Sequence, residues 1–391
     1  MSPHDTEAIA GWVVAQGLAG AAEKTLLDGF CERCRDGGIE LSRAVAIIDT
    51  LHPIYEGRAF EYRSTSVGEA AENWRRSAFF HLMSTGADEV RRRIGLGDPA
   101  DFFNLDVMKA EGNTDYVAFA QRFASGGVIG EMDCFYSQWA TRRADGFRES
   151  DLAALRRLVP SLGLAIKCAS LARIAGTLVE VYLGRDAGQR VLAGRISRGV
   201  ADRINAVLWF SDLRGYTGIT DSAPPDEIIP LLNDYAEAVI AAIHEAGGDV
   251  LKLIGDGTLA IFKADDPAAA CTAALAAAAD LRRRIGALKE RRAGEGRPVT
   301  SLYLGLHLGD VFYGNIGSED RLDFTVVGPA VNEVARIAAM CRSVDRGILL
   351  SSEFVAAMEE TERWQFVSVG RYALRGVGRA KELFTLDPAT L

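Results

Sequence analysis

Cysteine is scarce in this chain. Six residues in 391, with no dense spacing, exclude a disulfide scaffold and lead us to expect a reducing, cytoplasmic setting. Positive charge is also in deficit: 44 Lys and Arg stand against 53 Asp and Glu, a net charge of −9. That balance argues against nucleic acid as a partner, since phosphate binding relies on a positive surface. Long apolar runs are missing too. The most apolar stretch, Leu158 to Leu183, is interrupted by Pro160, Lys167, Arg173 and Glu180, and the Ala-rich stretch Ala268 to Ala279 is too short to span a bilayer. No transmembrane segment is expected, and no window reads as a signal peptide. With 48% hydrophobic residues, the chain is long enough for two or three domains with proper cores.

The chemistry is concentrated in the second half. Residues 208–217 read LWFSDLRGYT and residues 250–257 read VLKLIGDG, so Asp212 and Asp256 each stand where an apolar strand gives way to a glycine turn. A carboxylate there is exposed at a sheet edge rather than buried unpaired. Two such groups suit Mg²⁺, which takes few protein ligands and fills its remaining positions with phosphate and water. The residues by themselves describe a candidate two-metal phosphoryl or nucleotidyl transfer site. His307, in an apolar strand pattern, reads as structural. Gly247, Gly248 and Asp249 begin like the GGDEF motif of diguanylate cyclases, but Val250 and Leu251 follow, so the tripeptide reads as a turn before a strand.

With FSDLRGYT, LKLIGDG, GLHLGDVFYGNIGS and DFTVVGPAVNEVAR in this order, residues 206–386 resemble the class III adenylyl and guanylyl cyclases. The resemblance implies an α+β, ferredoxin-like catalytic domain over 200–391, working as a homodimer with two divalent cations, Mg²⁺ or Mn²⁺. It implies that Asp212 and Asp256 hold the metals, that Lys252 and Thr325 read the purine, and that Asn332 orients the ribose while Arg336 stabilises the transition state. Lys at position 252 matches relatives that use ATP, where Glu would favour GTP. Thr at position 325 matches the class IIIb subgroup, several of whose members respond to bicarbonate. Asn332 and Arg336 are spaced i and i+4, on one helical face. In family members the aspartates come from one chain and the other four residues from its partner. Two positions depart from the pattern: Val377 stands where many cyclases carry a triphosphate-binding Lys, and Tyr303 where some carry Arg. Arg375, Arg379 or Lys381 could supply the missing charge. The reading is therefore an adenylate cyclase making cyclic AMP and pyrophosphate, with a guanylate cyclase or a weakly catalytic nucleotide-binding regulator as alternatives.

The first 157 residues read as a separate α/β domain. Residues 7–35 carry helical periodicity, 44–49, 58–62 and 134–140 read as strands, and a helix beginning at Asp151 with Ser150 as its N-cap follows. The order resembles GAF-like sensor folds, though such a domain could equally be an inert dimerisation module. Residues 158–199 read as a helical linker with an apolar stripe, Leu162, Ile166, Leu171, Ile174, Leu178 and Val181, suited either to packing on its own domain or to a parallel two-helix stalk. The segment 182–199 then breaks the helix with glycines. The signal is not legible: Cys31 and Cys34 form CERC, a redox or metal pair or a packed accident. His52 could ligate a haem or be structural, and Trp12, Trp74, Phe79, Phe80 and Trp139 could line a small-molecule pocket or fill a core.

Overall fold

The computed structural model describes residues 1–49, 57–62, 67–68, 74–123 and 134–387. His52 and the side chain of Trp74 lie outside the described residues. The chain divides into two units, Met1–Leu178 and Val179–Leu391.

In the first unit the early helical periodicity resolves into two helices, α1 (Pro3–Leu18) and α2 (Glu23–Asp36). Ser2 caps α1 through a reciprocal pair with Asp5, its hydroxyl accepting the Asp5 amide at 3.1 Å. There follow β1 (Arg43–Asp49), β2 (Gly57–Glu61), β3 (Val67–Gly68), α3 (Ala78–Thr85), β4 (Glu89–Arg92), α4 (Leu105–Ala110), β5 (Asp115–Arg122), β6 (Cys134–Thr141) and the long α5 (Glu149–Leu183). The six strands form one sheet in the order β3-β2-β1-β6-β5-β4, every pairing antiparallel. The unit is therefore α+β rather than the expected α/β, because no crossover connects parallel neighbours.

Period-two alternation splits its core into two layers. Val117, Phe119, Phe135 and Trp139 face α1, α2 and α5, whereas Tyr116, Ala118, Tyr136 and Ala140 face α3 and α4. Trp139 packs on Phe30 with ring centroids 5.4 Å apart, and Phe79 packs on Tyr136 at 5.2 Å. The aromatic set thus divides between opposite faces of a sheet and does not line one pocket. Cys31 and Cys34 are fully buried in the first layer, and burial pushes the Cys34 thiol up to about 12 and the Cys31 thiol well above its ordinary value. Neither has the character of a reactive thiolate.

Helix α5 starts one residue before Ser150, so Ser150 is not its cap; instead the Asp151 carboxylate accepts the Arg148 amide at 3.1 Å. Pro160 lies inside the helix without ending it. By length and composition α5 is long and apolar enough to cross a membrane, despite the charges that argued against this in the sequence. Its Leu152, Leu155, Leu158, Leu162, Ile166 and Ile174 are all buried in the core of the first unit, while Val181 of the stripe is exposed. Gly184, with φ +84°, ends it.

The second unit continues with α6 (Arg185–Leu192), β7 (Ala201–Leu213), α7 (Tyr216–Ser222), α8 (Pro225–Glu245), β8 (Asp249–Ile254), β9 (Gly257–Lys263), α9 (Pro267–Gly294), β10 (Leu302–Gly317), β11 (Leu322–Val327), α10 (Pro329–Ser343), β12 (Ile348–Ser351), α11 (Ser352–Ala357), β13 (Phe366–Tyr372) and β14 (Lys381–Leu386). The elements β7-α8-β8-β9-α9-β10 lie in the spatial order β10-β7-β9-β8, all antiparallel, which is the split β-α-β-β-α-β arrangement of ferredoxin-like folds. β12 extends the sheet parallel to β10, and β14 and β13 follow it. One face buries Val207, Trp209, Ala260 and Phe262 under α8 and α9. The other buries Leu208, Ile261 and Leu251 against Phe324 and Val326 of β11, Val334 of α10 and Ala187 of α6. The second layer sets β11 and α10 against the sheet face that includes β8, where the chemistry gathers. Gly247, with φ +83°, is the expected turn before β8.

Candidate active site

Asp212 is the penultimate residue of β7, and Asp256 sits at the tip of the β8–β9 hairpin. The hairpin closes through two residues, Gly255 and Asp256, with the positive φ of +63° carried by Gly255, the requirement of a type II′ turn. A Cβ at Gly257 would stand 3.2 Å from the Phe210 ring and 3.3 Å from the Ser211 carbonyl, so glycine there lets the hairpin close onto the end of β7. The two carboxyl groups meet as a result. Burial, then a hydrogen bond and repulsion from Asp256, push the Asp212 carboxyl up to about 6. Two carboxyl groups brought together are a donor set whose repulsion a divalent cation would relieve. Among the described residues no group of three or more His, Cys, Asp or Glu could hold a metal, so further ligands would have to come from water and phosphate.

Lys252 projects from β8 and forms an ion pair with Asp323 of β11. Asp323 was not singled out by the sequence reading, yet the signal was present: it lies two residues before Thr325, on the same face of the same strand. Thr325, opposite Gly314, is only 7% exposed and has no side-chain hydrogen bond among the described residues. The structure thus brings Lys252 to Asp323 rather than to Thr325. Asn332 and Arg336 share one exposed face of α10 and, among the described residues, make no hydrogen bond or ion pair within the chain. Nor is either aspartate, Asp212 or Asp256, bonded to Lys252, Thr325, Asn332 or Arg336 among those residues.

The position of the missing triphosphate cation is apolar in fact as well as in sequence. Val377 packs with Ile337, Leu349, Leu374 and Leu383, and Tyr303 flanks the same cluster, its Cα opposite Asp212. Lys381 does not replace the charge, because its ammonium is held by Glu333, at 3.0 Å, and by Glu353. Arg375 and Arg379 are exposed, with no ion pair among the described residues. Glu333 also lies 3.5 Å from Nε2 of buried His307, whose Nδ1 meets the Ser351 hydroxyl at 2.8 Å. Burial holds His307 below its ordinary pKa despite the two glutamates, so it is a neutral structural group, as its strand position suggested.

Residues 201–387 match the family model of the adenylate and guanylate cyclase catalytic domain, and such a domain therefore occupies that part of the chain. An adenylate cyclase of Anabaena cylindrica is 35% identical over 164 residues, 41% of this chain and 32% of that protein. An uncharacterized protein of Mycobacterium tuberculosis is 33% identical over 213 residues, 52% of this chain and 36% of its own length. The chain thus spans about a third of the length of these curated relatives. A solved bacterial light-regulated adenylyl cyclase is similar in fold, with a TM-score of 0.50 at 16% identity, over 88% of this chain and 93% of that one.

Proposed function

We propose that this chain is an adenylate cyclase that closes ATP to 3′,5′-cyclic AMP with release of pyrophosphate, at a site shared by two copies of the chain. The observation that carries the reading is the apposed pair Asp212 and Asp256, in which burial and then the neighbouring Asp256 push the Asp212 carboxyl up, with no bond among the described residues to Lys252, Asn332 or Arg336. Two half-sites in one chain, each lacking the other's groups, make a complete site only across a two-fold interface. Exposed Phe312, Ile316 and Val327, on the same face of the β10–β11 hairpin as Asp323, give a second copy an apolar surface to cover.

Asp212 and Asp256 would hold two divalent cations, Mg²⁺ or Mn²⁺, which when bound lower the pKa of the ribose 3′-hydroxyl and neutralise the triphosphate. The remaining work falls to this chain's side chains. Arg336 offers a planar guanidinium where negative charge builds on the α-phosphoryl oxygens, and Asn332, one helical turn earlier, orients the ribose. Lys252 donates to the purine edge and favours adenine. Arg375 and Arg379, free of ion pairs among the described residues, are left to meet the triphosphate in place of Val377. We read residues 1–178 as a GAF-like regulatory unit, supported by the antiparallel sheet layered between helices and by the exit helix α5. The scarcity of cysteine remains the ground for a cytoplasmic setting.

The test is direct. Purified protein incubated with Mn²⁺ and ATP or GTP should yield cyclic AMP in preference to cyclic GMP, and Asp212→Ala or Asp256→Ala should abolish turnover while leaving the folded signal intact. Cyclic GMP as the main product would make it a guanylate cyclase. Binding of nucleotide without any cyclic product would favour the regulator reading, for which the apolar packing of Val377 speaks.

A further inference from the structure

Helix α10 carries Asn332 and Arg336 on its exposed face, while half-buried Glu333 reaches from its flank into a cluster of charges. Glu333 meets the Lys381 ammonium of β14 at 3.0 Å, Lys381 also holds Glu353 of α11, and Glu333 lies 3.5 Å from Nε2 of His307 on β10. We propose that this cluster sets the orientation of α10, with Glu333 and Lys381 as positioning residues for Asn332 and Arg336, a proposal that rests on the cyclase reading above.

Three features of the helix leave its orientation to the cluster. Gly328, at the N-cap, supplies no side-chain cap, so the first turn lacks the side-chain bond that commonly fixes a helix start. The buried residues Ala330, Val334, Ile337, Ala338 and Cys341 hold the helix by apolar contact, which has no preferred direction. Asn332 and Arg336 make no bond within the chain among the described residues, so they go where the helix backbone carries them. The charged contacts of Glu333 do have direction, fixed by β14 and β10. A displacement of about 1 Å at a reacting group costs about a hundredfold in rate, so a small slip of α10 is enough to matter.

The cluster also contains a second group able to carry positive charge. The Ser351 hydroxyl accepts the Phe354 amide at 3.1 Å and can donate its own proton to Nδ1 of His307 at 2.8 Å, which leaves Nε2–H facing Glu333. The charged groups around the imidazole are Glu333 of α10, Glu353 of α11 and Lys381 of β14, while the flanking strand β7 sets Leu208 opposite it. Burial, opposed by the two glutamates and reinforced by Lys381, holds His307 below its ordinary pKa. Without Lys381 the two carboxylates would have the imidazole as their one source of positive charge, and their pull would raise its pKa. Below the raised value an imidazolium stands beside Glu333 in place of the ammonium; above it the carboxylates are left unpaired. A chain lacking the lysine should therefore work better in acid than in base.

The experiment measures kcat with saturating ATP and Mn²⁺, and equilibrium binding of 3′-deoxy-ATP, which cannot cyclise, on the full chain at about pH 8 and about pH 6. Each variant is taken relative to wild type at the same pH, so that the titration of Asp212 cancels. Lys381→Met should lose about ten- to a hundredfold in kcat at the higher pH while binding the analogue within about threefold of wild type. In acid its kcat should return to within about threefold, Lys381→Arg should stay near wild type throughout, and Lys381→Met combined with His307→Gln should show no recovery. Glu333→Gln, which keeps size and leaves Lys381 on Glu353, should lose a similar factor in kcat at both pH values, and it carries the test if Lys381→Met does not fold. Unchanged kcat in Glu333→Gln or in folded Lys381→Met overturns the proposal. So does a loss in Lys381→Met that is equal at the two pH values or matched by an equal loss of binding, or acid recovery without His307. If wild type yields no cyclic product the cyclase reading fails, and amide exchange over residues 329–343, corrected for pH, still decides the role of the cluster. Exchange should be faster in Lys381→Met at the higher pH and restored in acid; exchange as in wild type would show that the cluster does not hold α10.

Discussion

Asp212 is the candidate metal ligand whose environment moves it away from its chemistry in water. Burial, then the neighbouring Asp256, pushes its carboxyl up to about 6 in the folded chain against an ordinary value of 3.8. Between those values the folded state keeps a proton that the unfolded chain has released, so the metal-free protein loses stability as pH rises from about 4 to about 6 and the loss is complete above that. Asp212→Asn removes the titration. In thermal melts without divalent cations, the difference between wild type and Asp212→Asn should therefore turn against wild type across that window, and Mg²⁺ or Mn²⁺ should narrow it above pH 6. A difference flat in pH would mean that burial and Asp256 do not raise the Asp212 carboxyl. Asp212 and Asp256 were legible as a pair because each carries a local turn signal. Asp323 carried only its spacing to Thr325 as a signal, and its ion-pair partner, Lys252, lies 71 residues away in the chain.

At the scale of elements, two glycines allow close backbone approaches. Gly257 admits the hairpin that carries Asp256, and Gly184 separates α5 from α6 while lying against β8. A Cβ at Gly184 would come within 2.5 Å of the Val250 carbonyl oxygen, in the strand that holds Lys252, and its φ of +84° disfavours any L side chain. Gly184→Ala should cost at least about 1–2 kcal/mol from the backbone conformation alone, read by urea denaturation. Because Val250 must shift, turnover should fall as well. Native stability and activity in this variant would show that the junction adapts without moving β8. The glycine break was visible in the sequence; what it abuts was not. Likewise the sequence offered Lys381 as a free cation, and only packing shows it committed to Glu333 and Glu353.

For the whole molecule, the proposal that Asp212 and Asp256 work with the Asn332 and Arg336 of a second copy is testable by complementation. Asp212→Ala and Arg336→Ala should each be inactive alone. Mixed in equal amounts with random exchange, half the dimers carry both variants, and in each of these one site takes both lesions and the other takes none. Activity should then return to about a quarter of wild type. A mixture that stays inactive, although a tagged pull-down shows exchange, would place all the groups of one site in a single chain.

The sequence by itself determined the cyclase-like half: strand runs ending in Asp-bearing turns, a helix with Asn332 and Arg336 one turn apart, and a net charge of −9. These are local patterns, in which backbone geometry follows from residues a few positions apart. Tertiary structure decided what depends on residues far apart in the chain. It set the first unit's sheet wholly antiparallel, divided its aromatics between two faces, and buried Cys31 and Cys34 beyond reach of redox chemistry. It also gave Lys252 its partner, since β11 pairs with β10 away from the main strand order and brings Asp323 to β8. Side chains on one strand reveal their spacing in sequence, but the strand across from them is chosen by the packing of the whole core.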